Sequence, residues 1–161
     1  MVDRIEKSIL IRSSRARVWR ALVDSKEFGT WFGMRFDRAF EAGATLKGVI
    51  VPTEVDPEVA KHQKPFEGTP FEIVVDRIEP QTLFSFKWHP GAVDKSVDYS
   101  KEPMTQVTFT LEEAPGGIKV TVVESGFDKL PAERRAKAFA GNAEGWTMVV
   151  TLLEKWVAKN S

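Results

Sequence analysis

The chain has 161 residues, 42% of them apolar and 29% charged, so we expect one folded domain over residues 1–161. Basic and acidic residues number 23 each, and this balance gives no reason to expect a nucleic-acid partner. The absence of cysteine excludes disulfides and thiolate chemistry. Because charges interrupt the apolar residues at the N-terminus and no apolar run approaches the roughly 20 residues that span a bilayer, we expect a cytoplasmic protein and no membrane partner.

The first elements in chain order are a strand and a short helix. Residues 5–11 fit an extended strand whose outer face is mainly polar. Ser13 or Ser14 can then cap a helix over Arg15–Val23, because a serine hydroxyl accepts a hydrogen bond from a free backbone N–H in the first turn.

A second short helix is predicted directly afterwards. Ser25 can cap it, and Phe28, Trp31 and Phe32 recur at the spacing of one helical face. Gly33 is a natural stop, since glycine adopts the left-handed conformation that ends helices. The sequence therefore predicts two short helices after the first strand.

The middle of the chain has the pattern of antiparallel strands. Six are predicted, over residues 35–40, 45–52, 71–79, 82–89, 105–113 and 118–127. Turn residues at 80–81 and 115–117 favour hairpins. Apolar residues share one face of three strands, as Phe84, Phe86 and Trp88, as Val107, Phe109 and Leu111, and as Ile118, Val120 and Val122. Residues 53–69 and 91–101 are predicted to be extended loops.

The last segment predicts one long helix over residues 131–159. Apolar residues repeat at spacings of three and four from Phe139 to Val157, and a helix of this length is roughly 42 Å long. A sheet with one apolar face needs a cover, and this helix is long enough to provide it. We therefore predict an α+β fold in which a curved antiparallel sheet of six to seven strands wraps around the C-terminal helix.

Several motifs resemble a known family. Residues 9–22 resemble the opening of the START-like (SRPBCC) superfamily. Residues 27–32, which end in Trp31-Phe32, together with residues 121–127 and 144–146 are similar to the branch homologous to the C-terminal domain of the activator of Hsp90 ATPase. The resemblance implies a helix-grip fold, in which the sheet and the long helix enclose a cavity. Members of the superfamily bind lipids, polyketides, hormones or other apolar molecules, and a few catalyse cyclisation or hydrolysis.

The candidate ligand-binding residues lie on the concave face of the sheet and on the facing helices. Plain core packing is the alternative for each aromatic side chain, but a curved sheet spanned by one helix leaves space between them. The predicted set is Trp31, Phe32, Phe84, Phe86, Trp88, Phe109, Glu124, Asn142, Trp146 and Val150.

Glu124 is the polar member of this set that could also act chemically. Strand alternation puts its carboxylate on the apolar face, where an unpaired carboxylate is costly. It could anchor a ligand hydroxyl or amine, or act as an acid or base. Alternatively, the strand ends there and the carboxylate reaches solvent or an arginine such as Arg77. For Asn142, an orienting bond to a ligand competes with a bond inside the protein.

Further predictions concern the two histidines, one loop and two residues of the last helix. His62 and His89 lack a second ligand at metal-binding spacing, so both are predicted to lie on the surface, with no metal and no cofactor. The loop over residues 53–69 could be a lid over the pocket mouth. Met148 and Leu152 lie beside the apolar stripe and could form a homodimer contact or pack within the monomer.

Three functions remain open at this point. The first is binding of a small apolar ligand in a cavity between the sheet and the C-terminal helix. The second is an enzyme of the cyclase or hydrolase type that uses Glu124 as acid or base. The third is a protein-interaction domain of the co-chaperone type, although Hsp90 itself is not the partner we expect, because the eukaryotic activator uses a further N-terminal domain to bind the chaperone.

Overall fold

The computed structural model describes residues 3–92 and 96–160. Its helices and strands follow in the order β1 (Arg4–Ile11), α1 (Arg15–Val23), α2 (Ser25–Phe32), β2 (Met34–Phe36), β3 (Thr45–Ile50), α3 (Pro57–Gln63), β4 (Pro70–Glu79), β5 (Leu83–Trp88), β6 (Thr105–Ala114), β7 (Gly117–Ser125) and α4 (Ala132–Lys159). Short 3₁₀ turns follow α3 and β7, at Lys64–Phe66 and Phe127–Lys129. None of the described helices is long and apolar enough to cross a bilayer.

The strands form one seven-stranded sheet in the order β1-β7-β6-β5-β4-β3-β2. Each neighbouring pair is antiparallel. Consecutive strands from β2 to β7 are neighbours, whereas β1 pairs with β7 and so forms the other edge. Gln81 and Gly116, both at positive φ, lie in the tight turns after β4 and β6. The predicted hairpins are therefore confirmed.

Helix α4 covers the concave face of this sheet, as predicted. It has 28 residues, and its buried side chains are Ala138, Trp146, Val150, Leu152, Leu153 and Val157. Leu152 is fully buried within the monomer, whereas Met148 is 36% exposed. Of the two residues considered for a dimer contact, Met148 therefore remains on the surface, and the dimer stays a prediction.

Helices α1 and α2 begin at side-chain caps. Ser14 caps α1, since its hydroxyl accepts from Arg17 N at 3.2 Å. The predicted cap of α2 is wrong: Asp24, not Ser25, accepts hydrogen bonds from two backbone N–H groups of the first turn, at 2.9 and 3.1 Å. Gly33 ends α2 at φ 107°, a conformation that favours glycine, as predicted.

Two strands are shorter than predicted. β2 ends before Asp37, because the Asp37 side chain replaces its backbone carbonyl as an acceptor: the Asp37 N–H still donates to the Lys47 carbonyl at 2.9 Å, but Lys47 N donates to the Asp37 carboxylate at 3.1 Å. β3 ends before Val51 because its partner strand begins only at Met34: the Val51 N–H donates to the Gly33 carbonyl at 3.0 Å, but Gly33 is the left-handed cap of α2. The predicted extensions to residues 40 and 52 are therefore wrong, while the other predicted bounds agree within two residues.

The loop predicted over residues 53–69 contains helix α3, so that prediction is wrong. Asp56 caps this helix by accepting hydrogen bonds from two N–H groups of the first turn, at 2.9 and 3.4 Å. Pro57 fits the first helical position because its missing N–H is not needed there. Lys155 of α4 donates to the Asp56 carboxylate at 2.6 Å and so links α3 to the long helix.

An aromatic cluster fills the space over the middle of the sheet. Phe28 of α2 is at its centre and is 1% exposed. Its ring centroid lies between 4.8 and 6.3 Å from the rings of Trp31, Phe32, Phe36, Phe40, Phe84, Phe86 and Phe109. Because these rings are in direct contact, the open space of the fold lies towards one end of the sheet.

Candidate ligand-binding site

Glu124 is fully buried on the concave face, and its carboxylate accepts four hydrogen bonds. Trp88 Nε1 donates to Oε2 at 2.7 Å, and Thr105 Oγ1 donates to the same oxygen at 2.6 Å. Asn142 Nδ2 and Trp146 Nε1 each donate to Oε1 at 2.8 Å. Every lone-pair direction of the two oxygens thus has a donor, which is how an apolar interior can hold this group.

Secondary structure brings these five residues together. Trp88 ends β5 and pairs with Thr105 at the start of β6, while Glu124 lies near the end of the neighbouring β7. Asn142 and Trp146 lie one turn apart on α4, so both reach the carboxylate from above. The prediction that alternation buries Glu124 on the apolar face is confirmed.

The alternative partners considered for Glu124 are wrong. The side chain does not reach solvent, since Glu124 is 0% exposed. Arg77 instead donates to Glu79, two residues along its own strand. The four donors to Glu124 are all neutral, and no ion pair with it is formed by any lysine or arginine in the described ranges 3–92 and 96–160.

A cavity of about 320 Å³ lies beside this network, where the ends of β2 to β5 meet the N-terminal half of α4. The volume is near the lower end of the range for small-molecule sites. The cavity is lined by Phe32, Met34, Ile50, Thr69, Pro70, Phe71, Glu72, Trp88, His89, Gly91, Ala92, Tyr99 and Asn142. Most of this surface is apolar, with a few polar groups from the sheet and the helix.

Three of the lining residues carry polar atoms with spare hydrogen-bonding capacity. Asn142 uses Nδ2 on Glu124, and its Oδ1 receives no hydrogen bond from a described residue. The Thr69 hydroxyl and the His89 Nδ1 are buried, and neither finds a partner among the residues that the structure describes. Leaving a buried polar atom without a hydrogen-bond partner costs about 1–3 kcal/mol of stability. A ligand that supplied the missing partner would therefore bind more tightly.

His89 is half-buried and lines the cavity, so the prediction of a surface position is wrong; the same prediction for His62, which is exposed, is confirmed. Burial lowers the pKa of His89 below its usual value, an effect that the carboxylates of Glu102 and Glu72 oppose. The imidazole is therefore neutral at pH 7 and adds no positive charge to the cavity wall.

An arginine on α4 holds the loop between β5 and β6 against the helix. Arg134 donates to the Glu102 carboxylate from Nε at 3.0 Å and from Nη2 at 2.7 Å. Nη2 also donates to the Pro90 carbonyl at 3.0 Å, and the guanidinium lies 4.7 Å from the Tyr99 ring centroid. This loop was predicted over residues 91–101; its residues 93–95 lie outside the described residues, and the rest contains no helix or strand.

The structure separates the predicted ligand-binding set into three groups. Phe32, Trp88 and Asn142 line the cavity. Glu124 and Trp146 lie behind this wall and are joined to it by hydrogen bonds. The remaining members are buried in the core, namely Trp31, Phe84, Phe86, Phe109 and Val150.

Several lining residues were missed at the sequence level. Phe71 had a usable signal, since it alternates with Ile73 and Val75, both buried, along β4. Met34 lies in a strand of three residues and Tyr99 in a loop, where no periodicity marks the inward side. These residues reach the cavity through tertiary folding and could not be assigned from local pattern.

The sheet, the covering helix and the end cavity define a helix-grip protein of the START-like (SRPBCC) type. Residues 12–158 match the family described as Activator of Hsp90 ATPase homolog 1-like protein, and the chain belongs to this family. Among the curated proteins none matches the chain.

Solved structures of other proteins have a fold similar to that of this chain. DynU16, a protein of the dynemicin biosynthetic locus, is 20% identical with a TM-score of 0.70; the alignment covers 100% of this chain but only 49% of DynU16, so the chain spans about half the length of that protein. MLL2253 from Mesorhizobium loti is 21% identical, with 98% of each chain covered and a TM-score of 0.70. The Aha1 dimer from Colwellia psychrerythraea is 18% identical over 96% of this chain and 94% of that one, with a TM-score of 0.65.

Proposed function

We propose that this chain binds a small, mainly apolar molecule in the cavity at the end of the sheet. The observation that carries the proposal is a cavity of about 320 Å³ whose lining is largely apolar and aromatic. Removing about 200 Å² of ligand surface from water contributes roughly 5 kcal/mol before the costs of association. That gain in free energy is sufficient to bind a small ligand without any covalent step.

The network around Glu124 supports the same proposal. Its carboxylate fixes the indole of Trp88 and the amide of Asn142, and both of these residues line the cavity. Because these side chains are already fixed before the ligand binds, less conformational entropy is lost on binding. Glu124 is therefore proposed as a positioning residue that acts on the ligand through Trp88 and Asn142.

The fold is also compatible with a cyclase-type enzyme, but the position of Glu124 favours binding. A general acid or base must come within hydrogen-bond distance of the proton that it transfers. Glu124 is not a lining residue, and its oxygens already accept four hydrogen bonds. A positioning role therefore explains its surroundings better than proton transfer does.

Native mass spectrometry of protein purified from its own host tests the proposal. We expect wild-type protein to retain a small molecule that is released on denaturation. Ile50→Trp should abolish retention, because Ile50 lines the cavity and the larger side chain fills it. Phe66→Trp is the matched control, since Phe66 is 40% exposed and lies outside the cavity.

Binding of the apolar probe ethylbenzene gives a second test that does not depend on the native ligand. Titration calorimetry should give saturable binding to wild type and to Phe66→Trp, and none to Ile50→Trp. Equal binding by all three proteins, or by none of them, would contradict a function based on this cavity.

A further inference from the structure

The electrostatic environment of the cavity indicates what kind of polar group its ligand carries. Glu124 lies directly behind the wall, and the four groups that bind it are neutral donors. Hydrogen bonds solvate a carboxylate, but they leave its charge without a counterion. Within the described ranges, no lysine or arginine lines the cavity.

The described basic side chains near the cavity are paired or lie outside its lining: Lys47 on β3 is opposite Glu72 and does not line the cavity. Arg134, which lies close to Gly91 at the rim, is paired with Glu102 by two side-chain nitrogens. His89 lines the cavity, and burial lowers the pKa of its imidazole, which keeps it neutral. The carboxylates of Glu102, Glu72 and Asp98 all act on this histidine. Glu102 is paired with Arg134 and Glu72 lies opposite Lys47, so the described part of the rim carries no excess of positive charge.

Asn142 offers a hydrogen-bond acceptor to the cavity. Because a carboxylate oxygen accepts, the Nδ2 end of the amide faces Glu124, and this assignment leaves Oδ1 without a partner among the described residues. Donation from Nδ2 also strengthens Oδ1 as an acceptor, since linked hydrogen bonds polarise one another. The Trp88 N–H is already used on Glu124, so Trp88 has no donor left for a ligand.

We propose that the ligand is a small apolar amine, bound as its ammonium ion with Asn142 Oδ1 as acceptor, and that the cavity discriminates against a carboxylic acid of the same shape. The proposal rests on the proposed function, because it assigns the head group of the molecule in that cavity. The rings of Phe32, Phe71 and Trp88 add to the preference, since aromatic faces attract cations.

A series of probes that share one phenyl body tests this preference by titration calorimetry near neutral pH. The probes are 2-phenylethylamine, which is protonated there as lysine is, 2-phenylethanol, 3-phenylpropanoate and ethylbenzene. We expect the amine to bind at least about tenfold more tightly than the carboxylate, with the alcohol between them. This series uses wild-type protein and needs no variant.

Two variants test whether Asn142 is responsible for the preference for the amine. Asn142→Leu should remove most of the advantage of the amine over ethylbenzene, while ethylbenzene itself still binds. Glu144→Gln is the matched control: it removes a negative charge from an exposed position on the same helix, outside the lining, and should leave the order of affinities unchanged.

The outcomes separate the two proposals. If ethylbenzene fails to bind wild type, the proposed function fails and the head-group assignment falls with it. If ethylbenzene binds and 3-phenylpropanoate binds as tightly as 2-phenylethylamine, the amine assignment is overturned while the binding function stands.

Discussion

Trp88 and Glu124, 36 residues apart in the chain, meet through a hydrogen bond of 2.7 Å between the indole Nε1 and the carboxylate Oε2. Trp88 lines the cavity, whereas Glu124 is buried behind it. Through this bond and the one from Asn142, the buried carboxylate holds two side chains that line the cavity. Stability and ligand binding should therefore respond together when the carboxylate is changed.

Glu124→Gln should destabilise the protein by about 2–4 kcal/mol, measured by chemical denaturation. Glutamine keeps one acceptor oxygen but places an NH₂ group against donors that now lack an acceptor. Affinity for 2-phenylethylamine should fall in the same variant. Glu112→Gln, at an exposed position on β6, is the control and should change stability by less than about 0.5 kcal/mol. Unchanged stability and unchanged amine affinity in Glu124→Gln would refute the positioning role.

Arg134→Met should loosen the loop that borders the cavity. The change removes the hydrogen bonds to Glu102 and Pro90 and the contact with the Tyr99 ring, at a cost of about 1–2 kcal/mol for this partly buried group. We expect faster amide exchange in residues 96–102 and faster ethylbenzene dissociation by NMR line-shape analysis. Lys137→Met, at an exposed position of α4, should show neither effect; identical rates in the two variants would argue against a role of Arg134 in holding this loop.

Acid should weaken the fold through His89. Its pKa in the folded protein is lowered by burial, so the unfolded chain takes up the proton first. The stability that the neutral imidazole contributes is complete above about pH 6.5 and is lost as the pH falls through the lower folded value. The nearby charges that act on it are Glu72, Asp98, Glu102 and Arg134.

Comparison of His89→Gln with wild type isolates this contribution. Between about pH 7.5 and pH 5.5, wild type should lose more stability than the variant. His62→Gln, at an exposed position, should follow wild type. An NMR titration in which His89 ionised above its ordinary value would contradict the account.

Two glycines should respond to alanine in opposite directions. A Cβ at Gly29 would lie 2.2 Å from the Met34 carbonyl oxygen, so Gly29→Ala should destabilise by about 1–3 kcal/mol and displace Met34 from the cavity wall. A Cβ at Gly141 on α4 would meet no atom within 4 Å, so Gly141→Ala should stabilise by about 0.5–1 kcal/mol. Thermal denaturation measures both effects, and a shift of the same sign in the two variants would contradict the packing described.

Local pattern predicted most of the fold because periodicity records which face is buried. The stripe on α4 and the alternation of Ile118, Val120 and Val122 both follow this rule, and the alternation also predicted that Glu124 is inward. Helix α3 was missed because prolines at 52, 57 and 65 suggested a loop, although Asp56 before Pro57 is also a helix-start signal.

The site was predicted only in part, because its geometry depends on contacts between distant segments. The sequence pattern around Thr105 does not indicate that its hydroxyl donates to Glu124. The pairing of β6 with β7 makes that contact possible. The sequence did not predict at which end of the sheet the cavity lies. Phe28 fills the middle of the interior, and the place of Phe28 among seven rings depends on how α2 lies on the sheet.

We propose above that a small apolar molecule occupies the cavity at the end of the sheet. Intermolecular NOEs between bound ethylbenzene and methyl-labelled protein test it most directly. We predict contacts with the methyl groups of Met34 and Ile50, which line the cavity, and none with Val120 or Leu111, which are buried in the core. Contacts with the core methyl groups alone, or no contacts at saturating probe, would contradict the account.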